Sequence, residues 1–494
     1  MLWDTPAFDA SLHSLYVSLG TATLCLALSV VLAFATVIVG IPGGRLLRPA
    51  ILSLVLVPLY VQATAWSAGF GDQSVLRWNQ VTAALHPGYA ILACIWIQAA
   101  SWLPLGFLLV SIAFERSLND SFRLALLERG LVSAFWRVAL RDSFPWIALA
   151  WLLIAVLTTN DMVVTNLFRV PTWTETLYQQ VQFQKTRSAP MVGMFLYAAA
   201  IAIMTGVTLL SLATRIGGEF DNHSLVSHLS PRSMKWGAGI LAWCIAFCFV
   251  GLPVLALVIK AGWQVIQIDG TIQRTWSLRS VLDSLIATRE FIPELQWSLA
   301  ISFYTTLLAI GISLIAIAIA FAGSRTSILY RSAWIAAAFA FCFALPGPLV
   351  NWSIQQCLVD QTGWLGWMGN DTLAAPVLAL QTRCAPVLFG SIWVAAWRWE
   401  QRFGDLRALD GTARKAHWRA LARPFCVGVL AAFFVGFANL ESYLLVLPPS
   451  VTPVSMRMFE LLHYGVQNQD AGLALGLVAI SVLTTYGLSW RRWG

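Results

Sequence analysis

The sequence predicts an all-α polytopic membrane protein, a bundle of about eleven transmembrane helices in two similar halves. Three observations favour this class: 58% of the residues are hydrophobic and only 11% are charged, the mean hydropathy is +0.72, and the apolar residues form blocks of about 20. A helix of that length crosses the roughly 30 Å hydrocarbon core of a bilayer. Soluble domains contain far fewer apolar residues.

Eleven apolar blocks meet the length criterion. No basic residue precedes the first block and no small-residue cleavage site follows it, so we expect it to stay in the membrane rather than to be removed as a signal peptide. In chain order the blocks are Leu12–Ile41, Leu47–Gly69, Tyr89–Phe114, Phe144–Val164, Met191–Ala213, Trp236–Ile259, Leu295–Ala322, Ala333–Ile354, Pro376–Val394, Phe425–Leu447 and Leu473–Ser489.

The basic residues between the blocks predict the orientation. If the C-terminus, with Arg491 and Arg492, is cytoplasmic, eleven helices place the N-terminus outside, and about 21 of the 31 lysines and arginines fall on the cytoplasmic side. We therefore expect a multi-pass protein of the plasma (inner) membrane with its N-terminus outside and its C-terminus in the cytoplasm. The lipid bilayer is therefore one partner that the sequence predicts.

Charge and cysteine content exclude several function classes. The net charge of +8 is explained by short basic loops that fix topology, so we expect no nucleic-acid partner. Most of the eight cysteines lie inside the apolar blocks, where we expect them to pack as small apolar side chains rather than to bind metal or form disulfides. The six histidines are scattered and H-E-x-x-H is absent, so no metal-dependent hydrolase is predicted.

Two polar segments form a repeat about half the chain apart. Leu126–Pro145 reads LLERGLVSAFWRVALRDSFP, and Ala408–Pro424 reads ALDGTARKAHWRALARP. Gly130 aligns with Gly411, and after a one-residue gap the Trp-Arg-x-x-x-Arg pattern of the first segment aligns with that of the second. The aligned residues of this pattern are Trp136, Arg137 and Arg141 in the first copy and Trp418, Arg419 and Arg423 in the second.

The second copy resembles the cytoplasmic loop of ABC-importer permeases, whose pattern is E-A-A-x3-G-x9-I-x-L-P. Gly411, Leu421 and Pro424 match the glycine, aliphatic and proline positions at the family's spacing, and Asp405 stands in for the glutamate. Ala408 lies between Asp405 and Gly411 in the same loop, near 403–424. In the first loop, near 121–142, Gly130 matches the glycine, but Leu124 occupies the glutamate position and the expected proline is missing.

Two further segments narrow the resemblance to fused, iron(III)-type permeases. Phe437–Leu475 has an acidic residue, a Pro-Pro turn, a short amphipathic segment and a Tyr-Gly pair, and Asn160–Phe183 resembles its counterpart in the first half. The resemblance implies the type I importer fold in two homologous halves, residues 1–214 with about five helices and 236–494 with about six, joined by a cytoplasmic linker at 215–235. Fused permeases for thiamine and other small solutes share this arrangement.

The resemblance also implies separate partners. The four lysines include none that follows a glycine as a phosphate-cradling loop requires, so the chain is predicted to have no ATPase site and no enzymatic activity. Two copies of an ABC ATP-binding subunit would bind under the two cytoplasmic loops. An extracytoplasmic solute-binding protein would deliver the substrate, and no cofactor is expected.

Helical spacing gives an independent reason to expect a docking helix in the second loop. Leu406, Leu409, Ala413, Ala416 and Ala420 recur every three or four residues and would line one face, which suits insertion into a groove on a partner. Gly411 favours a turn or a close contact. Pro424 is predicted to end this helix or to start the next membrane helix. The alternative is an ordinary basic loop that only fixes topology.

Asp161 and Glu441 occupy matching positions, each about 20 residues beyond its Trp-Arg segment. An ionisable group at membrane depth is costly unless it faces a cavity or a partner. One interpretation is that both line the path of a cationic substrate. The other is that both lie hydrated at the outer interface, or pair with Arg169 or another arginine.

An ion-coupled secondary transporter is the alternative function, because such proteins also contain repeats and intramembrane carboxylates. It would not need duplicated docking loops.

The topology is testable by chemical labelling. We expect cysteines introduced at Ser133 and Thr412 to be protected from an impermeant thiol reagent applied to intact cells, and to react after the cells are opened, because both loops are predicted to be cytoplasmic. Labelling of either position in intact cells would overturn the orientation.

Overall fold

The computed structural model describes residues 5–70, 87–183, 188–212, 231–268, 271–322, 325–403, 413–464 and 469–493. These residues are almost entirely helical, and eight of their helices are long and apolar enough to cross a membrane. Two shorter apolar helices, Pro424–Ala438 and Asp470–Tyr486, add to these. The predicted class, an all-α multi-pass membrane bundle, is confirmed, whereas the count of eleven spanning helices stays a prediction.

The helices of the N-terminal part alternate between long apolar and short amphipathic elements. A turn of π-helix extends α1 (Phe34–Val39) and another joins α5 to α6 (Phe135–Ala139). The helices are α1 Thr5–Ala33, α2 Gly44–Ser53, α3 Leu59–Phe70, α4 Pro87–Ser117, α5 Asp120–Ala134, α6 Leu140–Asn160, α7 Val163–Leu167, α8 Trp173–Gln182 and α9 Ser188–Leu212.

The C-terminal part contains the two strands of the described chain, an antiparallel hairpin in which Trp263 faces Trp276. Its elements are α10 Arg232–Ala246, α11 Leu252–Gly262, β1 Trp263–Ile268, β2 Thr271–Trp276, α12 Leu278–Ala287, α13 Ile292–Ala320, α14 Arg325–Ala344, α15 Gly347–Ile354, α16 Trp364–Asn370, α17 Ala374–Phe403, α18 Ala413–Ala438, α19 Val454–Tyr464 and α20 Gln469–Trp493.

Two of the predicted blocks divide next to a proline. The block 47–69 divides into α2, a short 3₁₀ turn (Leu54–Leu56) and α3, and the block 333–354 divides at Leu345–Pro346 between α14 and α15. Proline disfavours helical geometry in the residue before it and removes a backbone donor, so Pro58 and Pro346 mark both breaks. A hydropathy window does not register such breaks because the residues on either side are equally apolar.

By its internal contacts the chain forms two compact units. One contains Met1–Phe8, Trp173–Gly218 and Pro293–Arg457, and the other contains Asp9–Thr172, Glu219–Ile292 and Met458–Gly494. Each unit therefore combines segments that are distant in the sequence: α8 and α9 belong to the first unit with α13–α18, and α10–α12, the hairpin and α20 belong to the second unit with α2–α7. The predicted homologous halves, 1–214 and 236–494, remain a prediction about the sequence, and most of the predicted linker lies outside the described residues.

In the first unit, α9 packs along α14. Gly206 of α9 lies against the Ala333 backbone, and the rings of Phe195 and Phe341 stack with centroids 6.4 Å apart. At the other end, Leu177, Met194 and Leu349 form a buried apolar cluster that ties α8, α9 and α15 together. Small residues let membrane helices approach closely, so Gly206 explains the tight contact.

In the second unit, α20 is held at both ends. The Lys260 ammonium of α11 donates to the Asp470 carboxylate at the start of α20 across 2.6 Å, and the Asp470 side chain is buried. Near the other end, the Tyr486 hydroxyl donates to the Leu46 carbonyl of α2. A buried ion pair is stabilising only while both partners are present, so the pairing of Lys260 with Asp470 fixes where α20 begins.

Candidate functional site: two polar loops and two acidic turns

The first predicted loop is a kinked helix that continues into a membrane helix. The Asn119 side chain caps α5 by accepting from the Phe122 amide at 2.9 Å. Gly130 interrupts the helical geometry with φ 77° and ψ 172°, a conformation that glycine adopts readily and other residues rarely do. The helical segment that contains this loop and the membrane helix after it runs from Asp120 to Asn160, over 41 residues. A helix of that length is about 60 Å long, twice the thickness of the hydrocarbon core. Its charged first part therefore lies outside the hydrocarbon core.

The kinked segment presents an apolar surface bordered by cations. Leu127 is 73% exposed and Trp136 is 64% exposed, and Leu124 and Val132 are exposed as well. Arg129, Arg137 and Arg141 are also exposed, so they frame the surface with positive charge. Large exposed apolar side chains surrounded by polar residues are typical of a protein interface.

Most of the second loop lies outside the described residues. Asp405, Ala408 and Gly411 fall in the undescribed segment 404–412. Trp418 and Arg419 belong to α18, but their side chains are not described, and Leu421 is half-buried. Pro424 does not end the helix, because α18 runs through it from Ala413 to Ala438. The apolar part of α18 is Pro424–Ala438, so the other alternative, that Pro424 starts a membrane helix, stays a prediction. Proline is tolerated inside membrane helices because neighbouring groups satisfy the freed carbonyl.

Asp161 lies at the break between α6 and α7 and is 2% exposed. Its carboxylate accepts from the amides of Val163 at 2.9 Å and Val164 at 3.3 Å and from the Gln98 side chain of α4. Gln98 in turn accepts from the Thr21 hydroxyl of α1. The carboxylate therefore caps α7 and joins three helices, so the hydrated-interface interpretation is wrong for Asp161.

Glu441 lies in the corresponding turn after α18 and is half-buried. The Asn351 side chain of α15 donates to the Glu441 carbonyl at 3.0 Å. A Cβ atom on Gly347 would collide with that carbonyl, so glycine at the start of α15 allows the turn to pack against it. Asn439 accepts from the Ser442 amide at 2.9 Å and closes the turn.

Arg383 of α17 is a buried cation that the sequence prediction missed. It is 4% exposed, and its guanidinium donates to the carbonyls of Phe343 and of Leu345, the latter at 2.8 Å. The Arg383 and Glu441 charges attract each other. The two interpretations of Glu441, a place on a cation path or a pairing with an arginine, stay predictions. A single arginine in an apolar block, Pro376–Val394, is the sequence signal that could have identified Arg383.

Glu175 was also missed, although it lies inside a quoted segment. It is buried at the start of α8 and accepts from the Gln179 side chain at 3.0 Å. Burial and the Glu175 charge raise the pKa of Tyr178 above its ordinary value. An acid at the third position of an amphipathic helix is favourably placed for the helix dipole.

Metal-ligating side chains do not converge in the described part of the chain, where no group of three or more histidines, cysteines or acids could hold an ion. Asp161 and Glu441 are therefore single carboxylates in their respective turns.

Comparison with known proteins does not extend these findings. No protein-family model, curated protein or solved structure matches the chain.

Two substitutions at Asp161 separate its capping role from its charge. Asp161→Asn keeps one acceptor oxygen, enough for either the Val163 amide or the Val164 amide with Gln98, and places an NH2 group at the other position. We therefore expect a loss in the free energy of unfolding that is smaller than the loss for Asp161→Ala. Asp161→Ala removes the cap, worth about 1 kcal/mol, and leaves the buried Gln98 amide without this acceptor, which costs about 1–3 kcal/mol more. Denaturation of the purified protein in detergent measures both changes. Equal stability of the two variants would contradict the capping role.

Proposed function

We propose that this protein is the transmembrane permease subunit of a binding-protein-dependent ABC importer, forming the substrate path and coupling to separate ATPase subunits. The observation that carries the proposal is the exposed apolar surface on the Gly130-kinked segment, framed by Arg129, Arg137 and Arg141. A loop that only fixes topology needs the charges but not the exposed leucines and tryptophan. The resemblance of both loops to the ATPase-docking loops of such permeases agrees with this surface.

The repeated plan of the two sequence halves supports the proposal. A long helix with an internal proline, α4 with Pro104 or α17 with Pro386, precedes each loop. A second helix with an internal proline follows, α6 with Pro145 or α18 with Pro424. Each then ends at a turn that contains Asp161 or Glu441, followed by a short amphipathic helix. Duplicated transporters are built in this way, with the substrate path between the repeats.

In this scheme one ATP-binding subunit docks on each loop, and a solute-binding protein delivers substrate from the other face of the membrane. A conformational change of the ATP-binding subunits is transmitted to the permease through these loops. The Gly130 kink lets α5 change direction before α6 enters the membrane, so a force on the exposed surface is applied to a continuous membrane helix. A secondary transporter would draw its energy from an ion gradient and would have no use for this surface.

The substrate we propose is iron(III) or another small solute, with specificity in the binding protein rather than in the permease. Asp161 and Glu441 would provide weak, transient attraction for a cation.

Gly411→Arg tests the coupling. We expect it to abolish transport while the protein still inserts in the membrane, because a long charged side chain would enter a close-packed contact with the ATPase. Co-purification of the ATPase and uptake by cells are the two measurements. Gly130→Arg is expected to have a milder effect.

Gly88→Arg is the matched control, because Gly88 is exposed and open space surrounds its Cβ position. Normal uptake and normal ATPase association in Gly411→Arg would eliminate the docking role. A wild-type protein that transports without any co-purifying ATPase would favour the secondary transporter.

Uptake of radiolabelled iron by cells that hold the complete transporter tests the substrate. If the substrate is cationic, we expect Asp161→Asn and Glu441→Gln each to reduce uptake and the double variant to be slower than either. The pair Arg383→Gln with Glu441→Gln is the control for Glu441, since it removes both charges and leaves no unpaired cation. Unchanged uptake in the double acid variant would remove the path role. No iron uptake by the wild type would remove the iron assignment alone.

A further inference from the structure

An elongated apolar cavity runs along α10 in the second compact unit. Its volume is about 560 Å³, and its lining includes Trp236, Gly239, Trp243 and Phe247 of the α10 segment and Pro42 of the preceding turn. Gly239 lies against Ile41 and Pro42, and Gly43 against the Trp243 ring. The cavity therefore follows the groove that forms where the Ile41–Gly43 turn meets α10.

The dimensions of the cavity match one lipid chain in one leaflet. From Trp236 to Cys248 the helix advances about 18 Å, and half of the hydrocarbon core is about 15 Å thick. Trp236, Trp243 and Phe247 are exposed along the groove, where aqueous solvent would make them unfavourable and an acyl chain would cover them. The volume falls within the range of about 300–1,000 Å³ found for small-molecule sites.

Positive charge lies at only one end of the groove. Arg232 and Lys235 continue the same helical stripe one turn before Trp236 and Gly239, at spacings of four residues. Arg232 is exposed and Lys235 is half-buried. Neither forms an ion pair with an acid of the described residues. Tryptophan next to basic residues is typical of the level of the lipid headgroups, so the charged end of the groove lies at that level.

We propose that this groove is a binding site for an anionic phospholipid, with one acyl chain along Gly239, Trp243 and Phe247 and the phosphate at Arg232 and Lys235. The assignment depends only on α10 lying in a membrane and is independent of the transport activity proposed above. Basic pockets beside membrane helices bind anionic headgroups through such charges. The bound chain would fill the space between α10 and the Ile41–Gly43 turn and stabilise that contact.

Native mass spectrometry of the purified protein tests the site, with phosphatidylglycerol and phosphatidylcholine of identical chains as probes. We expect wild type to retain phosphatidylglycerol preferentially. The double variant Arg232→Gln/Lys235→Gln should weaken phosphatidylglycerol retention by about fivefold for each charge removed and leave phosphatidylcholine unchanged, the fold-change expected for basic residues near anionic lipid. Arg279→Gln/Arg289→Gln removes two exposed charges on another segment and should change neither.

A second variant tests the chain-binding part of the groove. Cys244→Trp places a bulky side chain in the cavity lining and is expected to reduce retention of both lipids. Elution as a single species in size-exclusion chromatography verifies folding of each variant. The proposal is overturned if Arg232→Gln/Lys235→Gln retains phosphatidylglycerol like the Arg279→Gln/Arg289→Gln control. Polar substitutions at the surface usually leave the fold intact. The comparison of the two double variants therefore tests the proposal even if Cys244→Trp does not fold.

Discussion

The structure depends on one constraint: inside a bilayer every backbone N–H and C=O group must find a partner within the protein. Continuous helices meet this requirement by themselves, so where a helix breaks a side chain must provide the missing partner. Asp161 accepts from the first amides of α7, and Asn351 donates to the carbonyl of Glu441 in the turn after α18. Each of these two side chains satisfies a backbone group at a break between helices.

At the ends of helices, arginine side chains donate hydrogen bonds to backbone carbonyls that have lost their helical partners. Arg48 donates to the Thr36 carbonyl at 2.6 Å, beside the π-turn that ends α1, and Arg331 donates to the Ala322 carbonyl just beyond α13. Arg383 does so for two carbonyls at the end of α14. A cation at a helix C-terminus satisfies orphan carbonyls and interacts favourably with the helix dipole. Arg48 and Arg331, which predict the orientation of the chain, therefore also hold the helix ends in place.

The sequence predicts those features that follow from composition and local pattern. Long apolar blocks predicted the spanning helices. The sequence predicted a turn or a close contact at Gly411, which lies outside the described residues, whereas the kink at Gly130, with φ 77°, was not predicted. The breaks at Pro58 and Pro346 and the passage of α18 through Pro424 depend on whether neighbouring side chains satisfy the freed backbone, which no local window contains. Asp161 and Glu441 were both identified from their matching positions in the sequence. Gln98 and Arg383 were not identified, because Asp161 lies 63 residues after Gln98 and Glu441 lies 58 residues after Arg383.

The partners of the two acids determine what each turn can do. The Asp161 carboxylate accepts from the Gln98 side-chain amide and from two backbone N–H groups. Glu441 attracts a buried arginine, Arg383, whose guanidinium also donates to two backbone carbonyls. Removing the Glu441 charge would therefore leave Arg383 buried with weaker compensation, a structural cost that is separate from any effect on a substrate. The matching positions of the two acids in the sequence do not show this, since the arginine lies on another helix. Two turns that match in spacing thus place their acids beside different groups, and a substitution at each acid has a different structural consequence.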